Sequence, residues 1–199
     1  MNTQRFAAVT LGLGALTLSP LARGAGFQIN EHSALNTGMA SSVVATVDDP
    51  SAIFHNPAGL TRIEGTAFQA GSNLIVPHGR YTGPGLPGAN PGGGEVNQDL
   101  VNDPVPVPYV YAARQLSDKA YIGLGFYAPY GSGLAWRNPD EFVGRTQLRE
   151  ISLRTFYFTP TVALELNEMI SVAVGVSLVP ATLFLEQEIG ATDNQQPLF

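Results

Sequence analysis

The chain contains no cysteine, which excludes disulfides, thiolate metal sites and cysteine nucleophiles. Charge is scarce as well. Charged residues make up 13% of its 199 residues, about half the usual share of a soluble domain. Basic side chains are the rarer sign, ten Lys and Arg against sixteen Asp and Glu, for a net charge of −6. Such a chain is a poor match for phosphate backbones, so nucleic acid is not expected as a partner. The three histidines, His32, His55 and His78, are far apart and lack the H-E-x-x-H spacing of a zinc site. There is no G-x-S-x-G elbow. The Gly83-Pro84-Gly85-Leu86-Pro87-Gly88 stretch lacks the Lys-Ser/Thr of a phosphate-binding loop. Asp48 and Asp49 have the form of paired carboxylates, but a role at a helix start is the simpler reading. No catalytic residue, metal or cofactor is expected.

Long apolar runs are also missing. Phe6 to Leu18 is uncharged and mostly apolar, yet shorter than the roughly 20 residues of a membrane helix. Arg5 precedes it, Ser19-Pro20 breaks it, and Ala22-Arg23-Gly24 places small residues where a signal peptidase cuts. Residues 1–24 therefore read as a secretory signal peptide, with a buried N-terminal helix as the alternative. The mature chain would begin Ala25-Gly26-Phe27, outside the cytoplasm. With no other candidate membrane helix, the remaining classes are a periplasmic β protein and an outer-membrane β-barrel.

What the sequence does have is a period of two. Ile170, Val172, Val174, Val176 and Leu178 alternate with Ser171, Ala173, Gly175 and Ser177. Ile122, Leu124 and Phe126 alternate with Tyr121, Gly123, Gly125 and Tyr127, and Phe156, Phe158, Val162 and Leu164 with Thr155, Tyr157, Thr159 and Thr161. In a soluble sandwich the second face would carry Lys, Glu, Asp and Arg. Here it is small, hydroxylic or aromatic. That suits a barrel whose aliphatic face meets lipid and whose other face lines a crowded lumen. Five strands are expected, near 66–81, 105–115, 120–130, 148–165 and 170–189, with register changes near Arg154 and Pro180. Their connections run long, short, long, short, as in barrels with extracellular loops and periplasmic turns. Tyr109, Tyr111, Tyr127, Tyr130, Trp136, Phe156 and Tyr157 fit either an interfacial girdle or core packing. Residues 25–65 break the pattern and predict short helices and turns, with Pro50 in a first helical turn. In a barrel protein such a segment lies in the periplasm or plugs the lumen.

Three stretches carry a family resemblance: Ala25-Gly26-Phe27-Gln28-Ile29-Asn30-Glu31, Asp48-Asp49-Pro50-Ser51 and Asn56-Pro57-Ala58-Gly59-Leu60. They resemble the opening of the FadL/TodX-type outer-membrane transporters of long-chain fatty acids and aromatic hydrocarbons. Ile122 to Gly131 resembles that family's third strand, and Phe142-Val143-Gly144-Arg145 and Pro160-Thr161-Val162-Ala163 resemble the family's next segments. The resemblance implies an all-β transmembrane β-barrel of fourteen antiparallel strands with a small N-terminal helical hatch. On that view residues 25–65 form the hatch and 66–199 the first five strands of an incomplete barrel, because closure needs at least about 8 strands. Phe199 is a residue type that often ends such barrels, but Asp193, Gln195, Pro197 and Phe199 give no apolar alternation.

The resemblance also implies sites. Asn56, Pro57 and Ala58 would be hatch residues at a lateral exit, and Gly123, Gly125 and Pro129 would belong to a kinked third strand. The plainer alternative is that Pro129 ends a strand and the glycines make room for the hatch. A fatty acid needs a cation, and Arg80, Arg114, Arg145, Arg149 and Arg154 are the candidates. Residues 155–199 contain no Lys, Arg or His against five acids, which tilts the balance towards an uncharged hydrocarbon. The expected function is passive transport of a hydrophobic small molecule across the bacterial outer membrane, in contact with outer-membrane lipid and lipopolysaccharide. A structural or adhesive barrel without transport, or an outer-membrane lipid hydrolase, are the alternatives.

Overall fold

The computed structural model describes residues 28–84, 95–140, 142 and 144–189. The expected signal peptide, the start of the mature chain, part of the loop after Gly83 and Phe199 lie outside them.

The N-terminal part forms short helical pieces, as its small and capping residues predict. Helix α1 spans Ala34–Gly38, and its N-cap Ser33 accepts from the Asn36 N–H at 3.0 Å. Helix α2 spans Ala52–His55. Ahead of it, Asp49 Oδ1 accepts from the Ser51 N–H at 2.8 Å and the Ser51 hydroxyl at 2.5 Å. The Ser33 cap satisfies a donor that has no partner within its helix, whereas Asp49 closes a turn onto Ser51, the N-cap residue of α2, which makes no side-chain cap bond of its own. Pro57 then opens a 3-10 helix, Pro57–Arg62, where its missing N–H costs nothing. Gly65, at φ +68°, turns the chain into the first strand.

Ten strand segments come next: β1 Thr66–Ile75, β2 Arg80–Pro84, β3 Glu95–Asp99, β4 Val105–Ser117, β5 Ala120–Tyr127, β6 Gly131–Ala135, β7 Glu150–Thr155, β8 Tyr157–Asn167, β9 Ile170–Gly175 and β10 Ala181–Glu186. They are five long antiparallel strands, each in two consecutive pieces. The larger sheet has the order β1-β4-β5-β8-β9, and the shorter pieces form β10-β7-β6 and β2-β3. Tight turns at Asp118-Lys119 and Glu168-Met169 close one end.

The interruptions have identifiable causes. Along the fourth and fifth strands the register is unbroken from Glu165↔Ser171 through the Phe158↔Leu178 bridge to Glu186↔Glu150. The Val176 N–H donates to the Pro160 carbonyl at 3.2 Å and the Phe156 N–H to the Pro180 carbonyl at 3.1 Å. Neither proline can donate in return. The register change expected near Pro180 is therefore absent, because two missing donors thin the ladder without shifting it. The change expected near Arg154 is present, but the extra residue lies on the third strand. Between Tyr127↔Tyr157 and Gly131↔Arg154, Ala128, Pro129 and Tyr130 face only Thr155 and Phe156. This is a bulge.

The two sheet faces differ as the alternation predicts. Tyr109, Tyr111, Ala113, Tyr121, Tyr127 and Ala163 are buried and pack with Val47, Ala52, Ile53, Leu60 and Ile63 of the N-terminal segment. Fully burying Leu60 contributes roughly 1.5–3 kcal/mol. Of the aromatic residues left open between girdle and core, Tyr109, Tyr111 and Tyr127 are core residues. On the opposite face, Phe68, Val110, Ile122, Leu124, Phe126, Val162, Leu164, Val172 and Val174 are exposed. A continuous apolar surface of that extent is unusual for a protein face that meets water.

Candidate functional site

The second and third long strands pair at both ends but not between. Their ladder runs from the Asp118-Lys119 turn to Tyr109↔Tyr127 and stops there. It resumes at the Leu100↔Trp136 bridge, where the Val101 N–H donates to the Ala135 carbonyl at 2.8 Å and the Arg137 N–H to the Asp99 carbonyl at 3.0 Å. Equal lengths of chain, 101–108 and 128–135, separate the two paired regions, so the same residues stay opposite one another. The hydrogen-bonding phase inverts, from even positions of the second strand below the gap to odd ones above it. The result is a gap between two paired regions of the same strands.

Two features of the sequence mark this gap. The second strand carries Pro104, Pro106 and Pro108 at alternate positions along it, and the third carries the Pro129 bulge. The N-terminal segment lies across its inner side. Gln28 bridges Tyr130, the Ile29 N–H donates to the Pro129 carbonyl at 2.7 Å, and the Asn73 side-chain amide of the first strand donates to the Glu31 carbonyl. Asn36 Nδ2 fixes the following turn by donating to the Asn30 carbonyl at 2.7 Å.

Aromatic rings floor the gap. Tyr127, on the last paired rung, lies 5.7 Å from Tyr111, 5.6 Å from Tyr157 and 5.2 Å from Phe54 between ring centroids, and Tyr109 stacks on Tyr111 at 5.8 Å. His32 completes the group, 4.6 Å from Phe54 and 5.8 Å from Tyr127. Its ring is fully buried, and neither nitrogen makes a well-formed hydrogen bond among the described residues. Burial, helped by the neighbouring His55 and opposed by the Ile29 backbone, pushes the His32 imidazole down to about 4. Burial also lowers His55, with Asp49 opposing. Both rings are therefore neutral near pH 7.

The residues singled out in the sequence fall in several places. Gly123 and Gly125 lie below the bend, under the N-terminal segment. A Cβ on Gly123 would stand 2.8 Å from Ile53 Cδ1, and one on Gly125 would stand 2.9 Å from Ile53 Cγ2. Pro129 is buried at the bulge itself. Asn56 Nδ2 donates to the Val44 carbonyl at 3.0 Å, and the 3-10 helix begun by Pro57 and Ala58 packs on β8, β9 and β5. Thr61 of that helix meets Ser171 hydroxyl to hydroxyl at 3.0 Å.

Three of the five arginines are engaged by this chain's own carboxylates: Arg80 with Asp99 at 2.7 Å, Arg145 with Glu188, and Arg149 with Asp140 and Glu186. Arg114 and Arg154 are exposed, each next to a buried residue, Ala113 and Thr155, that points the other way. Asp49 accepts from Ser51 in the turn that leads into α2, and His55 packs edge-on against Phe54 at 4.8 Å. Among the described residues no three His, Asp or Glu side chains cluster as metal ligands, and no helix is long and apolar enough to cross a membrane.

Sequence reasoning misses the roles of Gln28, Ile29, His32 and Phe54. No local pattern signals where an irregular segment will dock. The alternating prolines are legible, but on their own they read only as strand residues.

Comparison with known proteins gives consistent results. The family model described as outer membrane protein transport protein (OMPP1/FadL/TodX) matches residues 15–198. The long-chain fatty acid transport protein of Escherichia coli is 27% identical over 186 residues, covering 93% of this chain and 40% of that protein. Its Salmonella typhi counterpart is 28% identical over the same length, covering 93% and 41%. An outer membrane protein of Neisseria meningitidis serogroup B is 28% identical over 126 residues, 60% of this chain and 26% of that one. The crystal structure of a Pseudomonas aeruginosa FadL homologue superposes with a TM-score of 0.69 at 21% identity, over 82% of this chain and 39% of that one. The chain thus spans about 40% of the length of the fatty acid transporters it matches.

Proposed function

The chain belongs to the outer membrane protein transport protein family (OMPP1/FadL/TodX) and is an outer membrane protein; from that premise we propose that it forms the first part of a passive transporter of hydrophobic compounds, long-chain fatty acids or related hydrocarbons. On this reading residues 1–24 are a signal peptide, 25–65 a hatch, and the strands from Thr66 part of a barrel wall closed by strands outside this chain. The aliphatic face meets outer-membrane lipid, and lipopolysaccharide meets the exposed ends.

One observation carries the proposal. The gap between the second and third strands is bounded by matched pairs, floored by aromatic rings and crossed by the N-terminal segment. A hydrophobic molecule held among Tyr109, Tyr127, Phe54 and Tyr157 gains apolar contact without meeting a free charge. Shifting residues 28–31 then opens a lateral path between strands into the membrane. Gly123 and Gly125 seat the hatch, Pro129 bends the third strand, and Asn56, Pro57 and Ala58 brace the hatch from the other side. With Arg80, Arg145 and Arg149 already paired, the apolar part of the ligand dominates recognition within these residues.

A disulfide across the gap tests the reading. The chain has no cysteine of its own, so Val105→Cys with Gly131→Cys in the full-length protein introduces one pair. Oxidation is expected to lower cellular uptake of radiolabelled oleate at least tenfold, and reductant to restore it. Full uptake by the oxidised protein would point instead to a barrel that does not release ligand sideways.

A further inference from the structure

The gap is written into one edge of the second strand. In an antiparallel strand alternate residues direct both N–H and C=O to the same neighbour. The Gln115 N–H donates to the Gly65 carbonyl at 2.8 Å, towards the first strand. The register between β1 and β4 continues without a slip from Thr66↔Arg114 to Ile75↔Val105. Val105, Val107 and Tyr109 therefore present their N–H groups to the first strand, while positions 106, 108, 110, 112 and 114 face the third. At 110, 112 and 114 the residues are Val, Ala and Arg, and the ladder with β5 is intact. At 106 and 108 both residues are proline, and there the ladder ends.

From this placement we infer that Pro106 and Pro108 are positioning residues that hold the lateral gap open. They withhold donors from the third strand while leaving the first strand fully paired. Extending the register, Pro108 would face Ala128 and Pro106 would face Tyr130, whose carbonyl the bulge has already turned to the Thr155 hydroxyl of the fourth strand at 2.6 Å. Each such rung keeps one hydrogen bond at most, and each pyrrolidine ring projects at the strand it would have to approach. Past the prolines the alternation inverts, since the Leu100 N–H donates to the Gly79 carbonyl of the first long strand at 3.0 Å, so Pro104 is not assigned to this edge. There the Val101 N–H reaches the Ala135 carbonyl of the third strand at 2.8 Å, so pairing resumes on the opposite parity. Prolines on the other parity would have cost the pairing with β1, and the sequence has Val105 and Val107 there instead.

The chemistry of the rim comes from the same residues. It offers pyrrolidine methylenes and carbonyl oxygens but no N–H at Pro106, Pro108 or Pro129. An uncharged alkyl chain or ring passes such a rim without competing for donors. A carboxylate or phosphate finds no hydrogen bond from those three positions.

This rests on the lateral route proposed above, and the test separates the two. In the full-length protein, Pro106→Val with Pro108→Val returns both donors to the gap. Hydrogen exchange at residues 128–134 and oleate uptake are then measured together. Protection rising at least tenfold supports the inference, and unchanged protection overturns it whatever the uptake. If protection rises and uptake persists, the prolines do shape the gap but the lateral route fails. The reciprocal variant guards against misfolding of the double substitution. Val110→Pro removes a donor from the last paired region on the same parity. It is expected to lower protection at Phe126 at least tenfold, and unchanged protection there overturns the inference as well.

Discussion

The Ile29 N–H donates to the Pro129 carbonyl at 2.7 Å, so the N-terminal segment holds the third strand at the place where the second strand leaves it. One hydrogen bond of this kind contributes about 0.5–1.5 kcal/mol net, enough to change local opening several-fold. Ile29→Pro removes the donor and leaves the carbonyl. Release of a bound fluorescent fatty acid from proteoliposomes is expected to accelerate about threefold or more, with the unfolding midpoint of the barrel unchanged. An unaltered release rate would mean this contact does not restrain the gap.

Gly123 and Gly125 make separable predictions because their would-be Cβ atoms meet different atoms of Ile53. At Gly123 the nearest neighbour is Cδ1, at 2.8 Å; at Gly125 it is Cγ2, at 2.9 Å. A side-chain tip moves more easily than a branch beside the backbone. Gly125→Ala is therefore expected to destabilise docking of residues 28–64 more than Gly123→Ala, within the roughly 1–3 kcal/mol typical of overpacking. Ile53→Val deletes Cδ1 and keeps Cγ2, so it should partly rescue Gly123→Ala and not Gly125→Ala. Protease sensitivity of the N-terminal segment in these variants, single and combined, checks the cycle.

The contrast between what is legible in the sequence and what is not has a physical basis. Side-chain alternation is local, so Ile170 to Leu178 and Ile122 to Phe126 declare their exposed face from sequence alone. The missing donors at Pro160 and Pro180 are local too, but their consequence depends on parity against a neighbour strand. That is why Pro180 reads as a register change and proves to be a thinned ladder. The bulge at Ala128-Pro129-Tyr130 is expected near Arg154, on the strand it faces, because sequence does not say which partner carries the extra residue. The docking of Gln28 and Ile29, and the burial of His32, arise from contacts over long sequence separations that no spacing encodes.

His32 gives a prediction about pH. Docked, its imidazole is held down to about 4 by burial; released into water, it titrates near 6.5. Between these values the released segment binds a proton that the docked one refuses. Docking is therefore fully favoured above pH 6.5, weakens as pH falls through this window, and levels off below about 4. A single proton of this kind gives up to tenfold per pH unit. Hydrogen exchange at residues 28–38 should accelerate accordingly between pH 6.5 and 4.5, and His32→Phe should flatten the dependence. An unchanged slope in that variant would assign the pH effect to His55 or to other groups.

Neighbouring residues on β8 test which face meets lipid. Val162 is 45% exposed on the aliphatic face, while Thr161 is 3% exposed against the N-terminal segment and its hydroxyl has no partner among the described residues. If the aliphatic face lies in hydrocarbon, Val162→Lys costs about 2–4 kcal/mol near the bilayer midplane. Thr161→Val removes an unpaired hydroxyl at nearly constant volume and is expected to be neutral or stabilising. Water on the aliphatic face would make Val162→Lys nearly harmless instead. Urea unfolding of the full-length protein in lipid vesicles distinguishes the cases, since only a lipid-facing Val162 makes the exposed position the costly one of the pair.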